Sequence, residues 1–320
     1  MDKYVIGIDL GGMSAKAALL NGEQLFGTSR WKTDKNNSAQ ATAQDLAELV
    51  REVVKKSGAS MSQIAAVGIG APGAIDSKNG VVARWANFNW SNVPLAKLVE
   101  EELELPVFVL NDANAAALGE YEFGAGKEFS STVMITLGTG VGGGIVFDGL
   151  FEGNKGAGGE IGHMVIHTNG APCTCGRKGC LEAYVSATAL IRQTKEEMQK
   201  HRESDLWRIC EGDIVNVDGK TAFDGVRAGD QTAEKIVRNY INNLAEGVAN
   251  VGNLFRPEAV ILGGGISAEG EALTAPVEAF TNKHILGGEY ASVRVVTAQL
   301  GNDAGIYGAA AFAKKKIENN

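Results

Sequence analysis

A strand that runs into a glycine turn and straight back out as a second strand occurs twice in this chain, and few folds accept that arrangement. VIGIDLGGMSAKAALLNG near the N-terminus and VMITLGTGVGGGIVFDG beyond Thr132 align without a gap. Thr136 falls on Asp9, Gly138 on Gly11 and Asp148-Gly149 on Asn21-Gly22, a constant offset of 127 residues. Each copy reads as strand, glycine turn, strand and then an Asn-Gly or Asp-Gly hairpin turn. The 320 residues exceed what one core comfortably serves, so two lobes are expected, each presenting one glycine turn to a cleft.

Between and beyond the copies, strands and helices alternate. Residues 4–10 and 16–20 form the first hairpin, 64–70 and 105–110 are buried strands, and 259–262 is another. Helical spacing runs over 39–57 up to a C-cap at Gly58, over 112–124, over 231–254 and over 303–316. The class is therefore α/β, with 112–124 read as a helix between domains. The expected division is a smaller lobe of 1–112 plus 303–320 and a larger lobe of 113–302.

The glycines carry the first chemical signal. The chain has 42 of them and a net charge of −8. That balance argues against a nucleic-acid partner, which needs a basic face, so an anionic ligand must be held locally. GTGVGG at 138–143 matches GxGxxG, but Gly144-Ile145-Val146-Phe147 continues as strand where a dinucleotide fold opens a helix. GAGK at 124–127 fails as a P-loop, because Tyr121 stands where the first glycine belongs. What remains is a set of turns at Gly11-Gly12, Gly138-Thr139-Gly140 and Gly263-Gly264-Gly265, whose backbone amides suit the phosphates of ATP. Asp9 is placed to position Mg²⁺; Lys16 either neutralises phosphate charge or caps the hairpin edge.

His163, Cys173, Cys175 and Cys180 supply a Cys₃His set within eighteen residues, the pattern of a closed structural zinc site. Thiols clustered away from an oxidising compartment are more often metal ligands than disulfides. Cys210 reads as a packed thiol. Zinc would fold the loop that carries Glu160 and Glu182, and carboxylates on a rigid loop accept hydrogen bonds from sugar hydroxyls. Asn111-Asp112 ends a strand where α/β sheets place ligand chemistry. Asp112 is the candidate general base for phosphorylating a hydroxyl, an N-cap for the following helix, or both.

DLGG (9–12), GAPG (70–73), ND (111–112), LGTGVGGGIV (137–146), GGEIGHM (158–164), CTCGRKGCLE (173–182), LGGGI (262–266) and NDAGIYGAA (302–310) together resemble the ROK family of sugar kinases and sugar-responsive repressors. The resemblance implies a two-lobed actin-like ATPase (ribonuclease H-like) fold with a structural zinc loop and a last helix that completes the N-terminal lobe. It implies ATP and Mg²⁺ as cofactors, with Asp112 as base. It implies Gly73, Asn87, Asn111, Asp112, Glu160, His163 and Glu182 at the hexose, His163 also ligating zinc, and a homodimer. WANFNWSNVPL (85–95) is similar to the corresponding segment of glucose-phosphorylating members. One departure stands out: where the family places threonine after DLGG, its hydroxyl helping to hold phosphate, this chain has Met13 and then Ser14, so either Ser14 substitutes as a nucleotide-binding residue or nucleotide handling is weaker.

The rival readings are a kinase for another hexose (N-acetylmannosamine, N-acetylglucosamine, mannose, fructose or allose), a polyphosphate-using enzyme and a sugar-sensing repressor. The repressor reading is disfavoured by the acidic charge and by a first strand at Tyr4, with no DNA-binding helices ahead of it. Neither a secretory h-region nor an 18-residue apolar run is present, so a cytoplasmic location without membrane partners is expected.

Overall fold

The computed structural model describes residues 4–319. In chain order the elements are β1 (Tyr4–Leu10), β2 (Ser14–Asn21), β3 (Gln24–Lys32), α1 (Ala39–Ser57), β4 (Ile64–Ala71), β5 (Ala74–Asp76), β6 (Val81–Trp85), β7 (Trp90–Val93), α2 (Leu95–Leu103), β8 (Val107–Asn111) and α3 (Asp112–Phe123). There follow β9 (Ser131–Leu137), β10 (Val141–Phe147), α4 (Glu182–Val185), α5 (Ala187–Lys200), α6 (Leu206–Ile209), α7 (Thr221–Arg227), α8 (Gln231–Phe255), β11 (Ala259–Gly263), α9 (Glu271–His284), β12 (Arg294–Thr297) and α10 (Ala304–Glu318). The chain divides into two compact units, one of residues 1–130, 144–159 and 299–320, the other of 131–143 and 160–298.

The first unit is built on a five-stranded sheet in the order β3-β2-β1-β4-β8, with β1, β4 and β8 parallel and β2 and β3 antiparallel. Helix α1 starts where the Ser38 hydroxyl accepts the Ala41 N–H and stops at Gly58 in the left-handed region. Its apolar stripe of Leu46, Val50, Val53 and Val54 packs into the core with Ile6, Ile8 and Ile69. On this sheet α10 lies unusually close, because side chains at Gly7 and Gly68 would collide with the Ile306 and Ala309 carbonyls. A side chain at Gly308 would likewise strike the Ala115 carbonyl of α3.

That packing corrects the expected division. Helix α3 belongs to the first unit, bound face to face with α10 through small residues, and the chain leaves the unit at 130/131 rather than near 113. It returns for residues 144–159 and again at 298/299. The fully buried Glu120 holds both stretches near these points, accepting N–H groups from Ala125, Gln299 and Leu300 at 2.7–3.0 Å. A buried carboxylate is tolerated when backbone donors saturate it.

The second unit centres on a sheet in the order β10-β9-β11-β12, with β9, β11 and β12 parallel. Its longest helix, α8, starts with the Asp230 carboxylate accepting the Ala233 N–H and buries Ile236, Tyr240, Leu244 and Val248. Cys210 is buried, its thiol donating to the Leu206 carbonyl. Gly247 leaves room for Leu181, which brings the cysteine loop onto α8.

Candidate active site and metal centre

In the first unit the glycine turn closes with the Gly11 N–H donating to the Ser14 carbonyl at 2.9 Å. Asp9, one residue before the end of β1, stands directly opposite Lys16 on β2. Burial pushes the Asp9 pKa up to about 6, helped by the charge of Asp112 and opposed by Lys16 and Arg30. Lys16 pairs with the Asp303 carboxylate, and Gly305 lies against the Asp9 side chain. Ser14 Oγ accepts from Arg30, and Met13 points into solvent.

At the end of β8 the two candidate roles of Asp112 separate. Asn111 is the N-cap of α3, its Oδ1 accepting the Ala113 and Asn114 N–H groups at 2.9 and 3.2 Å. Asp112 is thereby released from capping duty, although one of its oxygens also accepts the Ala113 N–H. Desolvation raises the Asp112 pKa above the ordinary carboxylate range, against the lowering pull of that N–H. Asn111 Nδ2 donates to the carbonyl of Gly73, a residue at φ +95°. Asn87, on a short turn between β6 and β7, has its amide facing Gly12. Behind it Trp85 stacks on Phe88, and Trp90 packs edge-on against both, with centroids 3.9–5.4 Å apart, fixing the turn.

In the second unit the second glycine turn closes with the Gly138 N–H on the Gly140 carbonyl at 3.0 Å. Glu182, the first residue of α4, reaches it: Oε2 accepts the Val141 N–H at 3.0 Å, and a Cβ on Gly140 would stand 2.6 Å from that oxygen. Its Oε1 accepts from Thr174 at 2.9 Å. The Thr139 carbonyl accepts from Thr188 on α5. The third turn packs on the first strand of this unit, since a side chain at Gly264, at φ +83°, would overlap the backbone of Leu137.

His163, Cys173, Cys175 and Cys180 converge, each offering one ligand atom within 4.8 Å of the others. Cys175 and Cys180 sulfurs are 3.7 Å apart. A disulfide requires about 2.05 Å, whereas two thiolates on a tetrahedral zinc with Zn–S near 2.3 Å stand roughly 3.8 Å apart. Gly176 and Gly179, at φ +88° and +81°, turn the chain between the ligands. Glu160 is exposed just ahead of the short helical turn that ends in His163, and its carbonyl accepts the His163 N–H.

The first unit therefore gathers Asp9, Gly11, Gly12, Ser14, Lys16, Gly73, Asn87, Asn111 and Asp112, and the second gathers Gly138–Gly140, Glu160, His163, the cysteines, Glu182 and Gly263–Gly265. Three residues beside these sets carried no role in the sequence reading: Arg30, Glu120 and Asp303. Asp303 sits in the NDAGIYGAA motif at the start of the last helix; Arg30 sits in β3, a strand that the spacing does not predict.

A model of the ROK family matches residues 5–316. Over 317 residues the chain is 40% identical to a glucokinase of Thermotoga maritima, with 98% of each covered. Over 325 residues it is 37% identical to a glucokinase of Halalkalibacterium halodurans, covering 98% of this chain and 96% of that one. Its fold matches, at a TM-score of 0.80 and 36% identity, a ROK family glucokinase from Streptomyces griseus solved in complex with glucose and AMPPNP, covering 98% and 99% of the two chains. The fold is thus that of the expected actin-like ATPase class. Coverage that is nearly complete in both directions leaves no part of the chain to another assignment: it belongs to the ROK family.

Proposed function

We propose that this chain transfers the γ-phosphoryl group of ATP to the 6-hydroxyl of glucose. The observation that carries the reading is Asp112, a desolvated carboxylate at a strand end whose neighbour Asn111 has taken over the helix cap. Glucokinases 36–40% identical over nearly the whole chain support the substrate, and the Streptomyces griseus glucokinase solved with AMPPNP supports the donor.

In this reading Asp112 accepts the proton of the attacking hydroxyl as the new O–P bond forms and the bond from the γ-phosphorus to the bridging oxygen breaks, leaving ADP. A raised pKa suits a base that must take a proton late and release it afterwards. Backbone amides of the glycine turns receive phosphate oxygens, and Asn87, Asn111, Glu160 and His163 orient the sugar hydroxyls. Mg²⁺, when bound, would neutralise phosphate charge, with Asp9 the carboxylate placed to hold it. Zinc fits the Cys₃His donors and, with four protein ligands, would shape the loop rather than activate water. ATP as the donor fits a cytoplasmic location.

A coupled ADP assay across a sugar panel tests the substrate, glucose being expected to give the highest kcat/KM; a clear preference for another hexose would overturn that part. Asp112→Asn is expected to lower kcat by about 10²–10⁴-fold while glucose binding, followed by calorimetry, stays within a few-fold. A mutant that keeps its turnover would remove Asp112 from the mechanism.

A further inference from the structure

The first glycine turn carries a cation that none of its motifs accounts for. Strand register sets Asp9 on β1 opposite Lys16 on β2, and Lys16 opposite Arg30 on β3. Residues directly opposite in neighbouring strands share a face, so one row across three strands reads anion, cation, cation. Two like charges placed opposite one another repel, and such a pair needs anions nearby. Lys16 has Asp303. Arg30, among the described residues, has no carboxylate within ion-pair distance.

Arg30 is aimed at the turn instead. Its Nε and Nη2 both donate to Ser14 Oγ, at 3.1 and 2.9 Å, and Ser14 is the residue whose carbonyl closes the turn. A hydroxyl oxygen that accepts two N–H bonds has used both lone pairs, so its own proton is left to donate. Three of the five guanidinium N–H groups also remain. Met13, 86% exposed, brings no donor to the turn.

We propose that Arg30 is a nucleotide-binding residue that, with Ser14, supplies the first glycine turn with the positive charge and side-chain O–H that meet the terminal phosphate of ATP. The planar fork of arginine allows this double duty, because it can fix one oxygen with two donors and still present others to a phosphate. The inference rests on the kinase reading and on phosphate binding at Gly11-Gly12, and it adds the residue that gives that turn its charge.

Steady-state kinetics of the full chain test it. Arg30→Gln is expected to raise KM for ATP about tenfold, as befits loss of a hydrogen bond to a charged group, with KM for glucose within twofold and the melting temperature unchanged. Calorimetry on the same variant should show AMPPNP binding weakened more than ADP binding. Ser14→Ala should give a comparable rise, and the double variant should be no worse than Arg30→Gln alone. Arg30→Lys, which keeps the charge and loses the fork, should fall between. An unchanged KM for ATP in Arg30→Gln, or additive effects of the two substitutions, would overturn the proposal. Failure of the underlying kinase reading shows separately, as wild-type protein that makes no sugar-dependent ADP.

Discussion

Gly11 and Gly138 stand at equivalent points of two hairpins whose first strands, β1 and β9, bury their seven residues in the same order. Both turns are closed by the glycine N–H on a carbonyl just beyond the turn. Past the second strand the resemblance stops. Asn21-Gly22 leads into β3, which pairs along most of β2, whereas Asp148-Gly149, both at positive φ, leads only to a single bridge between Val146 and Leu150. The first turn therefore receives its side chains, Lys16 and Arg30, from sheet register. The second receives Glu182 and Thr188 from outside its sheet, on a segment tied to the cysteine cluster. One backbone device is thus supported in two ways: by neighbouring hydrogen-bonded strands, and by a loop gathered at the Cys₃His cluster.

If that contrast holds, removing one cysteine of the proposed zinc site should damage one turn and spare the other. Cys180→Ser is expected to release the metal and cost on the order of 5 kcal/mol or more, since binding energy at a structural site is folding energy. Hydrogen exchange followed by mass spectrometry should then show lost protection over residues 160–182 and Gly138–Val141 with β1–β3 unchanged. Equal loss in both hairpins, or a metal-free wild type with full activity, would break the comparison.

The next effect belongs to the first turn. Asp9 carries a pKa near 6 against an ordinary 3.8, chiefly through burial, so the folded state holds its proton more tightly than the unfolded chain. Stability therefore falls as pH rises from about 4 to 6, and above that the full cost, up to about 3 kcal/mol, is present. Asp9→Asn should raise the melting temperature at pH 8 while abolishing most turnover, and the wild-type rate should fall as pH drops through 6. A variant no more stable than wild type would mean that burial does not destabilise the charged Asp9 carboxylate.

The smallest effect is expected at Glu182→Gln. The amide oxygen can still accept the Val141 N–H, so the cost should be that of one weakened charge-assisted bond, about 0.5–1.5 kcal/mol by denaturant titration. A loss as large as that of Cys180→Ser would show that Glu182, rather than the metal, holds the second turn.

Much of this was legible because it is local. Each glycine hairpin, the Gly58 cap of α1 and the Cys₃His spacing depend on residues near one another in the chain, and the structure realises all three. Strand β3 was not legible: QLFGTSRWK is largely exposed and interrupted by Gly27, and its register shifts against β2, so no clean two-residue alternation marks it. Arg30 was lost with it. The placement of α3 was hidden for another reason, since an apolar helix full of alanine can pack on either neighbour, and the missing side chains at Gly119 and Gly308 admit α10 so closely.

By itself, then, the sequence determined the α/β class, the two glycine hairpins, the metal-ligand set and the candidate base, because short-range spacing and backbone conformation suffice for these. Tertiary structure alone decided that α3 sits with α10, that Asn111 rather than Asp112 is the chief helix cap, that Glu120 anchors the returning chain, and that Arg30 reaches Ser14. Each of those rests on a contact whose partner is fixed by packing or register, and chain order does not encode which surfaces come to lie within a hydrogen bond's length of each other.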